Sequence, residues 1–284
     1  MSAIYALFCL LCSSGNDFVF KLFAQKTRSR GIFCALIGIF WGLLTLLCFK
    51  IDWTTWQSTL IWGSVIGFFS IVANLLLIES MGMQSAGVCS TIYRLNLVPV
   101  VFGAWLLLGE KVTWLQWIGI ALALGAVLCF LTLSGNQDSQ SKKLARLGIL
   151  IVVLAALLRA AMGISYKYAY AANADEFGIT AVIAVFWIIG GLLYALIREK
   201  KQIKVDKTML VFGFVSGMFV AGITIFMALA LKVGNASVAL PIAQMSFPVT
   251  FLLSIIILKE SVTRWKLLGV VLSIAAVLLL CIAK

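Results

Sequence analysis

Residues 106–128 read LLLGEKVTWLQWIGIALALGAVL, and residues 256–278 read IILKESVTRWKLLGVVLSIAAVL. At a shift of 150 positions, Leu108, Glu110, Val112 and Thr113 fall on Leu258, Glu260, Val262 and Thr263, while Gly119, Leu122 and Ala126 fall on Gly269, Leu272 and Ala276. Apolar helices match one another by chance more readily than a polar Leu-x-Glu-x-Val-Thr hairpin does. The same shift carries Ala86, Val88 and Ile92 onto Ala236, Val238 and Ile242, and Gly63 and Gly67 onto Gly213 and Gly217. A single GxxxG is common in membrane helices, so two pairs at one offset weigh more than either alone. The chain reads as two copies of one unit.

Outward from these hairpins the sequence is dominated by apolar runs. Of 284 residues, 63% are hydrophobic and 11% charged, against roughly 45–50% apolar in a soluble domain. A water-soluble core of this size has no room for so much apolar surface. In lipid every backbone polar group must be paired internally, which leaves helices or a closed barrel. Runs of about twenty residues without strict alternation select helices. Ten such spans lie near 3–23, 31–49, 58–78, 86–108, 113–133, 146–169, 178–197, 208–231, 236–258 and 263–283. The longest polar gap, Ser134 to Ala145 (SGNQDSQSKKLA), has the composition of a linker. It separates a first repeat (1–133) from a second (146–284), with the linker at 134–145. The expected fold is an all-α polytopic membrane protein of ten transmembrane helices in two inverted five-helix repeats.

The inversion follows from counting. Five spans per repeat make the second copy enter the membrane from the opposite side, and the charges agree. Lys21, Lys26, Arg28 and Arg30 follow the first span, whereas Asp175 and Glu176 follow the sixth. The basic run of the second copy, Arg198 to Lys207, follows the seventh span instead. With Lys142, Lys143, Arg146, Lys259, Arg264 and Lys266, these loops share one face. By the positive-inside rule that face is cytoplasmic, and both termini are expected outside. The net charge of +12 is thus topological, and no basic, aromatic-laced stretch suggests nucleic acid. Ser2 and Ala3 enter the first apolar run directly, so no cleaved signal peptide is expected. With no histidine, and with Cys9 and Cys12 inside an apolar helix, neither a metal site nor a cofactor is expected.

Inverted copies can exchange conformations and so open a shared site to one face and then the other. Candidate residues for that site are the polar groups inside spans, where ionisable side chains cost roughly 3 kcal/mol on insertion scales. Asp17 is a proton-coupling candidate, because desolvation penalises a charged carboxylate; the alternative is an ion pair with Lys21 four residues on. In span 4, Tyr93 and Asn96 share a face and Arg94 lies at an adjacent angle. Arg94 suits a carboxylate or phosphate clamp, or else a salt bridge to Asp17. Its counterpart under the shift is Gln244. Span 6 carries Arg159, Gly163, Tyr166, Lys167 and Tyr170 on one stripe, with the tyrosines facing a cavity or an interfacial belt and Lys167 able to snorkel outward. Ser70 and Asn74 lie on the face of Gly63 and Gly67 and fit helix packing as well as a site. Pro99, Pro241 and Pro248 favour kinks, which fit a gate or plain curvature.

Leu106 to Leu128 resembles the end of an EamA domain of the drug/metabolite transporter superfamily, and Ile256 to Leu278 resembles the same segment of a second copy. The likeness spans nearly the whole chain, with one departure: Gly109 in the first hairpin is Lys259 in the second. It implies a carrier of the bacterial inner membrane with a central cavity lined mainly by spans 1, 3, 4, 6, 8 and 9. The expected activity is secondary-active transport, as export, of a small polar metabolite by alternating access. The partners would be that solute, membrane lipid, and a coupled proton or counter-substrate. Arg94, Arg159 and Lys167 outnumber Asp17, which favours an anionic or zwitterionic, amino-acid-like solute. An antiporter of sugar phosphates or nucleotide sugars is the alternative, and it requires Arg159 and Lys167 to face the cavity together. A structural or assembly protein is the non-transport alternative. An enzyme is not expected, because the spans offer no acid–base pair and no nucleophile with its base.

Overall fold

A computed structural model describes residues 2–26, 28–108, 112–131, 139–199, 205–233 and 242–282. Its helices are α1 (Ser2–Ala24), α2 (Arg30–Cys48), α3 (Trp56–Met83), α4 (Ala86–Arg94), α5 (Leu97–Leu108), α6 (Trp114–Leu131), α7 (Ser139–Ala171), α8 (Glu176–Arg198), α9 (Lys207–Val233), α10 (Ser246–Ile256) and α11 (Arg264–Ile282). A short 3₁₀ turn, Trp53–Thr55, precedes α3. Among the described residues, eight helices are long and apolar enough to cross a membrane. Two further apolar helices, Trp114–Phe130 and Ile242–Ile256, are shorter. Large side chains such as Leu47, Leu106, Ile197 and Ile256 are more than two-thirds exposed, as lipid-facing positions should be. The chain is an integral membrane protein.

The two halves pack as counterparts. α1 lies along α9, and α7 lies along α3; α2 crosses α8, α4 meets α10, and α6 pairs with α11. A Cβ on Gly119 would meet Leu280, and one on Gly269 would meet Phe130. Those two contacts interchange under the shift of 150 positions. The GxxxG pairs behave alike: Gly63 and Gly67 seat Val182 and Phe186 of α8, and Gly213 and Gly217 seat Leu36 and Phe40 of α2. At the α2–α8 crossing the backbones themselves touch, with a Cβ on Gly31 aimed at Gly191 O and one on Gly191 aimed at Gly31 O.

The direction of the second copy is fixed by contacts at the helix ends. Lys21 Nζ, near the end of α1, donates to Met81 O (2.9 Å) and Gln84 O (2.8 Å) at the end of α3. Gly148, near the start of α7, faces Met83 and Gln84. α7 therefore begins where α1 ends, and the two run oppositely. On the same face, the Glu199 carboxylate behind α8 covers the start of α2. It accepts from Ser29 Oγ (2.6 Å), Arg30 N (2.8 Å) and Gly31 N (3.2 Å), placing negative charge where the helix dipole favours it.

Three details depart from expectation. Span 4 is two helices, α4 and α5, because Pro99 has no N–H for Leu95 O; Val98 N takes that carbonyl instead at 3.0 Å. Leu95 N bonds Ile92 O at 3.1 Å, and Met245 N bonds Ile242 O at 3.1 Å ahead of Pro248. The break thus recurs at the same place in both halves. Pro241 lies outside the described residues. α7 starts at Ser139, so the second part of the 134–145 stretch is helix, since a polar turn can extend a membrane helix into water at no burial cost. Lys259 adopts φ 52°, the left-handed region that favours glycine, at roughly 1–2 kcal/mol for a side-chain-bearing residue. Its counterpart Gly109, outside the described residues, is the residue type that suits such a position.

Candidate functional site

α1, α3, α4, α7 and α9 converge on a cavity of about 190 Å³ in the middle of the bundle. Its polar lining is Ser13, Asn16 and Asp17 of α1, Ser70 and Asn74 of α3, Tyr93 and Arg94 of α4, Arg159 and Tyr166 of α7, and Thr224 of α9. α2 and α8 add Trp41 and Trp187. Helical spacing explains the convergence: Ser13, Asn16 and Asp17 stand on one face of α1, as Ser70 and Asn74 do on α3.

Asp17 is buried. Its Oδ2 accepts from Ser90 Oγ at 2.6 Å and stands 3.7 Å from Arg94 Nη2. Of the two partners open to Asp17, the structure selects Arg94; Lys21 turns instead to Glu260, at 3.4 Å. Arg94 is 6% exposed, and its Nε has no acceptor among the described residues. Arg159 lays its guanidinium over the Tyr93 ring, Cζ 4.7 Å from the centroid, and Nη1 donates to Tyr93 Oη at 3.3 Å. Both contacts are with the one residue Tyr93, and among the described residues no carboxylate lies within ion-pairing reach of Arg159. Among the described residues two guanidiniums and one carboxylate line the chamber, and charges interact more strongly in such a low-dielectric space than in water.

The other polar groups hold the walls. Asn16 Oδ1 accepts from Ser216 Oγ (2.5 Å), tying α1 to α9. Trp187 Nε1 donates to Ser70 Oγ (2.9 Å), tying α8 to α3. Asn74 Nδ2 returns to Ser70 O (2.9 Å). Beyond Asp17, toward the face of the basic loops, Lys21 and Glu260 join the two halves, with Glu260 Oε1 also accepting from Ala86 N at 3.2 Å. Close by, Arg30 pairs with Glu79, whose Oε1 takes the Tyr194 hydroxyl at 2.6 Å. These contacts tie the two halves together on the side of the basic loops.

Of the candidates read from sequence, Asp17, Asn74, Tyr93, Arg94, Arg159 and Tyr166 come together around this cavity. Four stand elsewhere. Asn96 is buried at the helix break, where its amide, turned to suit its neighbours, donates to Arg94 O (3.1 Å) and Tyr93 O (3.3 Å). Lys167 and Tyr170 are exposed. Gln244 is partly buried, with a buried Oε1 that has no partner among the described residues, and the described part of span 9 packs on α4 and α1, where Ser14 Oγ donates to Ser246 O at 2.9 Å. Among the described residues the cavity wall thus differs from the expected one: spans 2 and 7 contribute, and the described part of span 9 does not. Sequence reading missed Trp41 and Trp187. The signal was present as Ile-x-x-Phe-Trp at 37–41 (IGIFW) and 183–187 (IAVFW), four positions off the shift used for the hairpins. Glu79 was also missed, because α3 runs to Met83 and encloses it. Among the described residues, no group of His, Cys, Asp or Glu could hold a metal ion.

Comparison with known proteins adds three findings. The description "EamA-like transporter family" fits two stretches of this chain, residues 1–132 and 146–282. An uncharacterized protein of Methanocaldococcus jannaschii is 32% identical over 92 residues, which make up 32% of this chain and 67% of that protein. A solved crystal structure superposes over 98% of this chain and 95% of its own, with a TM-score of 0.62 at 12% identity, a likeness of fold.

Proposed function

This chain belongs to the EamA-like transporter family, a family of membrane transporters of the drug/metabolite type, and within it we propose that the chain exports a small anionic or zwitterionic, amino-acid-like solute by alternating access. The observation that carries the reading is the surplus guanidinium charge of Arg94 and Arg159 over Asp17 in a cavity between two inverted repeats. A volume of about 190 Å³ is small beside the usual ligand pocket of roughly 300–1,000 Å³, which favours an amino-acid-sized solute. A nucleotide or phosphorylated sugar calls for Arg159 and Lys167 side by side, and Lys167 is exposed outside the cavity lining.

The basic loops face the cytoplasm of a bacterial inner membrane and the termini lie outside, by charge distribution. Opening toward the cytoplasm requires the Lys21–Glu260 contact to part. Asp17 carries the coupling proton. Solute and proton alternate at the site: with Asp17 ionised, Arg94 and Asp17 take the carboxylate and ammonium of the solute from the cytoplasm, and a proton arriving from outside neutralises Asp17 and weakens that hold, so the solute leaves as the proton enters.

The test is a metabolite panel in proteoliposomes, with and without a pH gradient. Wild-type protein should concentrate an amino-acid-like solute about tenfold per pH unit at one proton per solute. Asp17→Asn should retain counterflow and lose the response to the gradient. An undiminished response in Asp17→Asn removes Asp17 as the coupling group. Absence of counterflow for every solute would leave the structural or assembly role.

A further inference from the structure

Trp41 and Trp187 are counterparts in the two repeats. Leu36 and Phe40 seat on Gly213 and Gly217 as Val182 and Phe186 seat on Gly63 and Gly67, and each tryptophan follows its phenylalanine directly. The rings meet edge to face, with centroids 6.0 Å apart and an interplanar angle of 79°, and both line the cavity.

Their N–H groups are treated differently. Trp187 Nε1 donates to Ser70 Oγ at 2.9 Å, and Ser70 stands three residues after Gly67. Three residues after Gly217 stands Val220, which lines the same cavity and has no side-chain acceptor. Trp41 is 7% exposed, and its Nε1 has no acceptor among the described residues. A neighbouring π face is a much weaker acceptor than an oxygen, and a buried donor without a partner is costly. The pseudo-symmetry that satisfies one indole thus leaves the other donor on a wall whose second orphan donor is Arg94 Nε. Two buried donors without acceptors among the described residues, both on residues of the cavity lining, call for a ligand that brings oxygens, and a carboxylate offers about four lone-pair sites.

We infer that the indole N–H of Trp41 is a substrate-binding donor that takes a carboxylate oxygen of a small amino-acid-like solute, beside the Arg94 guanidinium. The inference rests on the transport reading above and deepens it. Val220 is the specificity element: by being apolar it leaves the indole to the solute.

The test measures binding to the full chain in nanodiscs, with the twenty proteinogenic L-amino acids, propionate, and the decarboxylated amine of the tightest-binding amino acid. Trp41→Phe should weaken the tightest amino acid about ten- to hundredfold, the span of one hydrogen bond to a charged group. The amine, which lacks the carboxylate, should bind Trp41→Phe and wild type within about twofold. Val220→Ser, which recreates the Ser70 arrangement and keeps the indole, should also weaken amino-acid binding, so the inference does not hang on one variant's folding. Trp114→Phe, on the exposed surface, serves as the control. If Trp41→Phe and Val220→Ser both bind the tightest amino acid like wild type while counterflow persists, the role of Trp41 is refuted and the transport reading stands. If wild type binds no member of the panel and shows no counterflow, the transport reading itself fails and takes the inference with it.

Discussion

Arg94→Ala is expected to lower solute affinity about a hundredfold, the loss of a charged, planar donor from a buried site, and to destabilise the fold by about 3 kcal/mol. The two effects have separate origins. Affinity falls because Arg94 brings to the cavity lining a guanidinium whose Nε has no acceptor among the described residues. Stability falls because Asp17 is left buried with Ser90 as its remaining donor, and a stranded buried charge costs more than its pair contributed. The contact of 3.7 Å is long for a charge-assisted hydrogen bond, which sets the loss at the lower end of the range for buried pairs. A double variant separates the effects: Asp17→Asn with Arg94→Gln removes both charges, and should recover the melting temperature without recovering transport. Arg94→Lys keeps the charge and loses the fork, so it should fold and bind weakly. Wild-type affinity in Arg94→Lys excludes bidentate recognition, and wild-type transport in Arg94→Ala excludes Arg94 from the site.

The second large effect is expected at the crossing of α2 and α8. Gly191→Val should abolish accumulation of folded protein in the membrane. A Cβ there would lie 2.7 Å from Ala35 N and still closer to Gly31 O. Both are backbone atoms, which no rotamer change can move. Overpacking of side chains costs about 1–3 kcal/mol, and forcing two helix backbones apart also breaks the close contact on which small-residue crossings depend. Gly125→Ala is the comparison, because its nearest neighbour would be Leu272 Cδ1 at an ordinary 3.8 Å. Yield and monodispersity after detergent extraction provide the readout. Equal yields for the two variants would mean that the crossing does not hold the repeats together.

The lipid-facing fold was legible from sequence for a simple reason: a bilayer demands long apolar helices, and composition alone reveals them. The repeat was legible where loops are polar, at Glu110 and Glu260, and where glycines allow close contact, at Gly63, Gly67, Gly213 and Gly217. The helix breaks were half legible. Pro99 and Pro248 marked them, but which carbonyls are re-satisfied, and that Asn96 covers two of them, depends on three-dimensional placement. For the cavity lining, charge inside a span was the useful signal, since Asp17, Arg94 and Arg159 all stand there. It was misleading for Lys167, whose long stem lets the ammonium leave the bundle. It was blind to Trp41 and Trp187, because tryptophan in a membrane helix is unremarkable until its N–H is traced to an acceptor or to none. It also gave no hint that Lys21 would cross to Glu260 rather than bond along its own helix.

That last contact leads to the most direct test of the proposal that the chamber between the inverted repeats is shut on the basic face by Lys21 and Glu260. Thr224, on the cavity wall, is replaced by cysteine in a background free of the seven native cysteines. It is then labelled with a membrane-impermeant thiol reagent from each side of oriented vesicles. Removing a partly buried ion pair of about 1–2 kcal/mol shifts a two-state equilibrium about tenfold. Labelling from the basic face should therefore be slow with the latch intact and rise about tenfold in Glu260→Gln, with labelling from the other face slowed. Labelling from the basic face that is fast from the outset, or unchanged by Glu260→Gln, would contradict the account.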